Sequence, residues 1–98
     1  MTITKKQNEA ALELALTGRL DTATAPELEK ELASALKGVS ELTLDFSGLD
    51  YISSAGLRVL LSAQKTMSKQ GSMKIKNVNE IIMEIFEVTG FSDILTIE

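Results

Sequence analysis

Asp45-Phe46-Ser47-Gly48-Leu49-Asp50-Tyr51-Ile52-Ser53-Ser54-Ala55-Gly56-Leu57-Arg58 joins two different hydrophobic periods. On its upstream side Leu42, Leu44 and Phe46 alternate with Thr43 and Asp45, the period of two that marks a half-buried strand. On its downstream side Leu57, Leu60, Leu61 and Met67 recur on one face of a helix that starts at Ser54 or Ala55, runs to Gln70 and is closed by Gly71. Ser47 to Ser53 has no strong period and reads as a short connection. A core strand thus feeds a loop, and two serines stand where the helix begins. A helix N-terminus presents unpaired amides and a partial positive charge, so a serine there can cap the helix and a phosphate there is accommodated. Gly56, in the first turn, has no side chain and lets another part of the chain approach closely.

The remaining elements fall into place on either side. Leu12, Leu14 and Leu16 share one face of a strand that Gly18 stops, and residues 2–6 can pair with it as a hairpin around Gln7-Asn8. Thr24-Ala25-Pro26-Glu27 reads as a helix start: Thr24 as N-cap, Glu27 closing a capping box, Pro26 in the first turn. Leu28, Leu32, Ala35 and Leu36 then recur at helical spacing until Lys37-Gly38. Met73 and Ile75, alternating with Lys74 and Lys76, give another strand. Val78-Asn79 opens a third helix carrying Ile82, Ile85, Phe86 and Thr89, ended by Gly90. Ile94 to Ile97 fits either a last short strand or a helical turn. The order β-β-α-β-α-β-α predicts an α/β fold: a mostly parallel mixed sheet of about four to five strands with three to four helices packed on it. With no linker, repeat or low-complexity run, residues 1–98 read as a single domain.

Composition narrows the chemistry. The 98 residues hold 10 Lys+Arg, 14 Asp+Glu, no His and no Cys, for a net charge of −4. Hydrophobic residues at 44% and aromatics at 4% call for an aliphatic core. A chain this short buries about 60–65% of its unfolded surface, enough for one modest core. Without Cys there are no disulfides or thiolates, and without His the usual general base and nearly all zinc sites are gone. The acidic balance argues against nucleic acid as a partner. Apolar runs such as Val59-Leu60-Leu61 fall far short of the ~20 residues of a membrane span, so no membrane insertion is expected. The N-terminus has a basic pair, Lys5-Lys6, but no apolar stretch after it to make a signal peptide. The expectation is a cytoplasmic protein, and nothing in the pattern asks for an oligomer, so a monomer is expected.

No enzyme emerges from the side chains. Asp21, Asp45 and Asp50 are the acids nearest strand ends and loops; they can bind magnesium or act as a carboxylate pair, but shaping turns is the commoner use of Asp there. Neither phosphate-cradling glycine motif is present. Lys5-Lys6 and Lys74/Lys76 read as solvated strand faces or edge protection. No cofactor and no metal are expected.

Tyr51-Ile52-Ser53-Ser54-Ala55-Gly56-Leu57 resembles the STAS domain, shared by bacterial anti-sigma factor antagonists and the cytoplasmic tails of sulfate transporters. Leu16-Thr17-Gly18-Arg19-Leu20-Asp21 matches a second family segment ahead of the first helix, and Gly90-Phe91 a third after the last long helix. The resemblance spans nearly the whole chain in order. It implies that Ser54 is a phosphoacceptor, with Ser53 as the second candidate; Ser53 stands where the family often has Asp. It further implies a partner switch without catalysis of its own. The unphosphorylated protein binds an anti-sigma factor serine kinase and so frees the sigma factor, phosphorylation releases it, and a PP2C-type phosphatase resets it. The implied contact surface is Asp21, Thr22, Ser53, Ser54, Ala55, Gly56, Leu57 and Arg58. A STAS module that binds a lipid-transport or scaffold complex without phosphorylation is the alternative.

Overall fold

Alternating leucines organise the sheet in a computed structural model that describes residues Met1–Glu98. Strand β1 (Thr2–Asn8) pairs antiparallel with β2 (Ala11–Leu20), whose Leu12, Leu14, Leu16 and Leu20 are all buried. The hairpin turn is Glu9-Ala10, two residues beyond the expected Gln7-Asn8. Gln7 and Asn8 both pair in the ladder, with Leu12 and Ala11, and Glu9 takes the positive φ of 56° that the reversal needs. Helix α1 (Ala25–Ala35) crosses to β3 (Glu41–Ile52), helix α2 (Ser54–Gln70) crosses to β4 (Ser72–Lys76), and helix α3 (Glu80–Thr89) follows. The sheet order is β1-β2-β3-β4, parallel except for β1.

The expectation of a connection over Ser47–Ser53 is corrected: β3 continues to Ile52. Its pairing with β2 slips twice, between Ala15 and Thr17 and between Gly18 and Arg19, and each slip inserts one residue on the β3 side. Each extra residue changes which face the next side chain takes. Phe46, Leu49 and Ile52 therefore all reach the core at a spacing of three, which hides the strand from a search for period two. The chain end combines both forms left open for it. Phe91–Asp93 is a single 3₁₀ turn, and Ile97 then makes one parallel bridge to Ile75.

Both parallel crossovers step to the next strand in the same direction, and right-handed crossovers then put their helices on one sheet face. All 25 buried hydrophobic residues form one cluster between the helices and that face, with Phe46 and Phe86 6.4 Å apart joining β3 to α3. The opposite face stays open. Its alternate residues, among them Ala11, Glu13, Thr43 and Lys76, are half-buried, and Lys76 reaches over β3 to Glu13 at 3.0 Å. The Gln70 amide closes the far end of the helical layer, donating to the carbonyls of Leu36 and Val39 at 2.7 and 2.6 Å.

Candidate functional site

β2 and β3 end side by side, with Leu20 paired to Ile52, and the next amide, that of Ser53, still donates to the Leu20 carbonyl at 2.9 Å. This holds Ser53 extended (ψ 176°), the backbone of an N-cap. Its hydroxyl accepts from the Gly56 amide at 3.4 Å and its carbonyl from the Leu57 amide at 2.9 Å. Ser54 is consequently the first helical residue, exposed, and its hydroxyl makes no hydrogen bond to the rest of the chain. The two serines divide the work. Ser53 caps α2, and Ser54 stands free beside helix amides that have no intrahelical acceptor.

Gly56 lets this corner close. A Cβ on it would lie 2.7 Å from Leu20 Cγ and 2.8 Å from Ile52 Cγ1, so α2 rests directly on the ends of β2 and β3. Gly56 and Leu57 are buried, and seat the helix instead of offering surface. Ala55 and Arg58 lie further out. With Thr22, Pro26 and Glu29 from the α1 side they line an open groove of 300 Å³ between the starts of the two helices. Thr22, Ala55 and Arg58 are thus brought together, and Ser53 and Ser54 lie at the same helix start.

Asp21 works as a turn-maker. Its Oδ1 accepts from the amides of Ala23 and Thr24 at 3.0 and 3.1 Å, while the Thr24 hydroxyl donates to the Arg19 carbonyl at 2.7 Å and accepts from the Asp21 amide at 2.9 Å. The capping box expected at Thr24 and Glu27 is therefore absent. Thr24 has near-helical dihedrals (φ −101°, ψ −19°), so its hydroxyl serves the preceding turn instead of the helix amides. Arg19 sits 3.8 Å from the Asp21 carboxylate and 4.7 Å over the Tyr51 ring. Sequence reasoning missed this Arg19–Tyr51 stack and the Glu29 wall of the groove. The pair meets through a register that the β3 bulges conceal. Asp45 lies elsewhere, accepting from Asn77 at 2.9 Å, and Asp50 is exposed on β3 without a side-chain partner. No three acidic, His or Cys side chains gather to hold a metal.

The family described as "Mlab, STAS domain" matches residues 3–96. The chain belongs to the STAS-domain family. Among curated relatives of this STAS domain, the anti-sigma-B factor antagonist of Bacillus subtilis is 32% identical over 93 residues, covering 94% of this chain and 85% of that one. BtrV of Bordetella bronchiseptica is 37% identical over 99 residues, with 99% and 85% covered. Solved structures agree on the fold. The Bacillus anti-sigma factor antagonist SpoIIAA superposes on this STAS domain with a TM-score of 0.77 in its unphosphorylated form, at 15% identity, covering 99% of this chain and 87% of that one. Its phosphorylated form superposes at 0.76, again at 15% identity, with 99% and 91% covered. No helix of the STAS domain is long and apolar enough to cross a membrane.

Two carboxylates tie the STAS domain's stability to pH. The Thr24 amide, followed by the Thr24 hydroxyl, the Ala23 amide and Arg19, holds Asp21 below the usual aspartate range; Asn77, then the Ser47 amide and Lys76, does the same for Asp45. A carboxylate whose folded pKa lies below its unfolded one adds stability above the unfolded value and loses it as pH falls through the folded value. Melting temperature is therefore expected to be flat from neutral pH down to about 5 and to drop below about 4. Asp45→Asn should flatten that acid limb when melts are followed by circular dichroism. A limb of unchanged steepness in Asp45→Asn would refute the assignment.

Proposed function

We propose that this STAS domain is an anti-sigma factor antagonist whose switch is phosphorylation of Ser54. Unphosphorylated, it binds an anti-sigma factor serine kinase through the corner formed by Ser54, Ala55, Arg58 and the Asp21–Thr22 turn, and so releases the sigma factor. The kinase phosphorylates Ser54 and the complex dissociates; a PP2C-type phosphatase restores the binding form. Nucleotide and magnesium belong to the kinase, so the domain is regulatory and carries no catalytic group of its own.

The observation that carries this reading is the division of labour between the two serines. Ser53 is committed to the α2 cap, whereas Ser54 is exposed with an uncommitted hydroxyl. A kinase needs such a hydroxyl, and the helix start favours the resulting anion. Further support comes from the relatives named anti-sigma factor antagonists and from SpoIIAA, a protein of this fold known in both forms.

The test is intact and tryptic mass spectrometry of the protein from its native host, beside a Ser54→Ala strain. A single species heavier by about 80 Da, one phosphate, should map to Ser54 and vanish in the variant. The variant should stay bound to its partner under conditions that release the parent chain. Unmodified protein across growth and stress conditions, with unchanged output from Ser54→Ala, would favour the alternative STAS module that binds without phosphorylation. Modification at Ser53 would move the switch by one residue.

A further inference from the structure

Residues 80–98 carry Glu80, Glu84, Glu87, Asp93 and Glu98 and no lysine or arginine, whereas residues 1–79 hold all 10 basic residues of the chain. The negative charge is therefore gathered at the end that contains α3. The same helix is apolar almost all round, with Ile81, Ile82, Met83, Ile85, Phe86 and Val88, of which only Ile82 and Phe86 are buried in the core. Ile81, Ile85 and Val88 follow one another at i, i+4 and i+7, a continuous row along the helix. Ile81 is 60% exposed, Val88 77% exposed, and Ile85 half-buried. Glu80, Glu84 and Glu87 run along one flank of this row. None of them forms an ion pair, and their spacing of three and four sets like charges against each other.

An exposed apolar row and an uncompensated line of like charge are separate costs, and one kind of occupant relieves both: an amphipathic helix with a leucine-like face and lysines or arginines beside it. A second copy of this chain would set glutamates against glutamates. Nucleic acid and anionic membranes are repelled for the same reason. None of the α3 residues lines the groove at the starts of α1 and α2, or a second groove between the same helices lined by Leu32, Leu36, Val59 and Gln70. We propose that the Ile81–Ile85–Val88 row with its glutamate flank is a docking surface for a cationic amphipathic helix of a partner protein, independent of Ser54.

The test titrates the isotope-labelled full chain with a leucine–lysine helical peptide of about 18 residues, five turns, and with a leucine–glutamate peptide of the same pattern. The cationic peptide should bind saturably with amide shifts concentrated in residues 80–94, and its affinity should fall as salt rises. The acidic peptide should not bind. Ile81→Ser with Val88→Ser, and separately Glu84→Lys with Glu87→Lys, should each weaken binding at least tenfold, with melting curves confirming that both variants fold. Shifts centred on the α1–α2 groove, equal binding of the acidic peptide, or undiminished binding by either variant would overturn the proposal. So would a dimer in sedimentation equilibrium that Val88→Asp disperses, because the occupant would then be a second copy.

Discussion

Phosphorylation of Ser54 is expected to weaken binding to the anti-sigma partner by about 30-fold to several thousand-fold while leaving the melting temperature unchanged or slightly raised. The phosphate adds about 1.5 to 2 negative charges at neutral pH. In the free domain that charge falls on the first residue of α2, where orphan amides and the helix dipole favour an anion by about 0.3–1 kcal/mol. Asp21 does little to oppose it, since Arg19 stands 3.8 Å from its carboxylate. A docked partner changes the balance, because the new charge must be stripped of water against a surface built for a neutral hydroxyl. Burying a charge without its partner costs about 2–5 kcal/mol, and each 1.4 kcal/mol is tenfold in affinity. Ser54→Glu, with a single charge, should fall at the low end of that range. Calorimetric titration against the anti-sigma factor, paired with thermal melts, separates the two effects. A phosphoprotein that melts several degrees lower yet binds as before would show that the modification acts on the fold and not on the interface.

How legible each part was depends on how local its signals are. α3 could be read from the sequence because both of its ends are set within a few residues. Asn79 Oδ1 accepts from the Ile82 amide at 2.8 Å, and Gly90 closes the helix with a left-handed φ of 81°. β4 was equally plain, as its buried methionine and isoleucine alternate without interruption. β2 was plain only over Leu12, Leu14 and Leu16: Gly18, expected to stop the strand, lies inside it at a positive φ of 107°, and the pairing with β3 carries it on to Leu20. The second half of β3 was not legible, since its bulges are set by pairing with β2, a partner about thirty residues away in the chain whose register no local pattern records. The start of α1 misled for a related reason. Thr24 and Glu27 have capping-box spacing, but Asp21 takes the local amides first and draws the Thr24 hydroxyl into its own turn. At the site, adjacent serines are interchangeable on paper. The extended backbone of Ser53, held by the Leu20 carbonyl, is what assigns one to the cap and leaves the other free.

Gly56→Ala and Gly71→Ala are expected to destabilise the domain by different routes and to part company in function. At Gly56 the added methyl meets Leu20 Cγ and Ile52 Cγ1 at 2.7 and 2.8 Å, and both side chains are fully buried. They have nowhere to swing, so the first turn of α2 must lift away from the strand ends and carry Ser54 with it. Such overpacking costs about 1–3 kcal/mol, partly offset by alanine's better helix propensity of about 1 kcal/mol. Gly71 has an extended φ of 169°, which any residue adopts, so backbone strain is not the issue there. Its methyl would fall on the Ser40 carbonyl group, with the carbonyl carbon 2.6 Å and the Ser40 Cα 2.8 Å away. That neighbour is main chain, fixed by the Ser72 amide donating to the same carbonyl at 2.9 Å, and cannot rotate aside. The cost at Gly71 should thus reach or exceed about 3 kcal/mol, a fall in melting temperature of roughly 4–8 °C for each kcal/mol in a domain of this size. Yet Gly71 lies at the opposite end of α2 from Ser54, so the folded fraction of Gly71→Ala should bind the partner and accept phosphate as the parent does. Gly56→Ala, the milder lesion by melting, should be the worse kinase substrate, because displacing a reacting group by about 1 Å can cost 100-fold in rate. Phosphorylation rates measured below the melting range of both variants decide the matter. If both lose activity in proportion to their loss of stability, the close fit at Gly56 serves the core alone, and the placement of Ser54 does not depend on it.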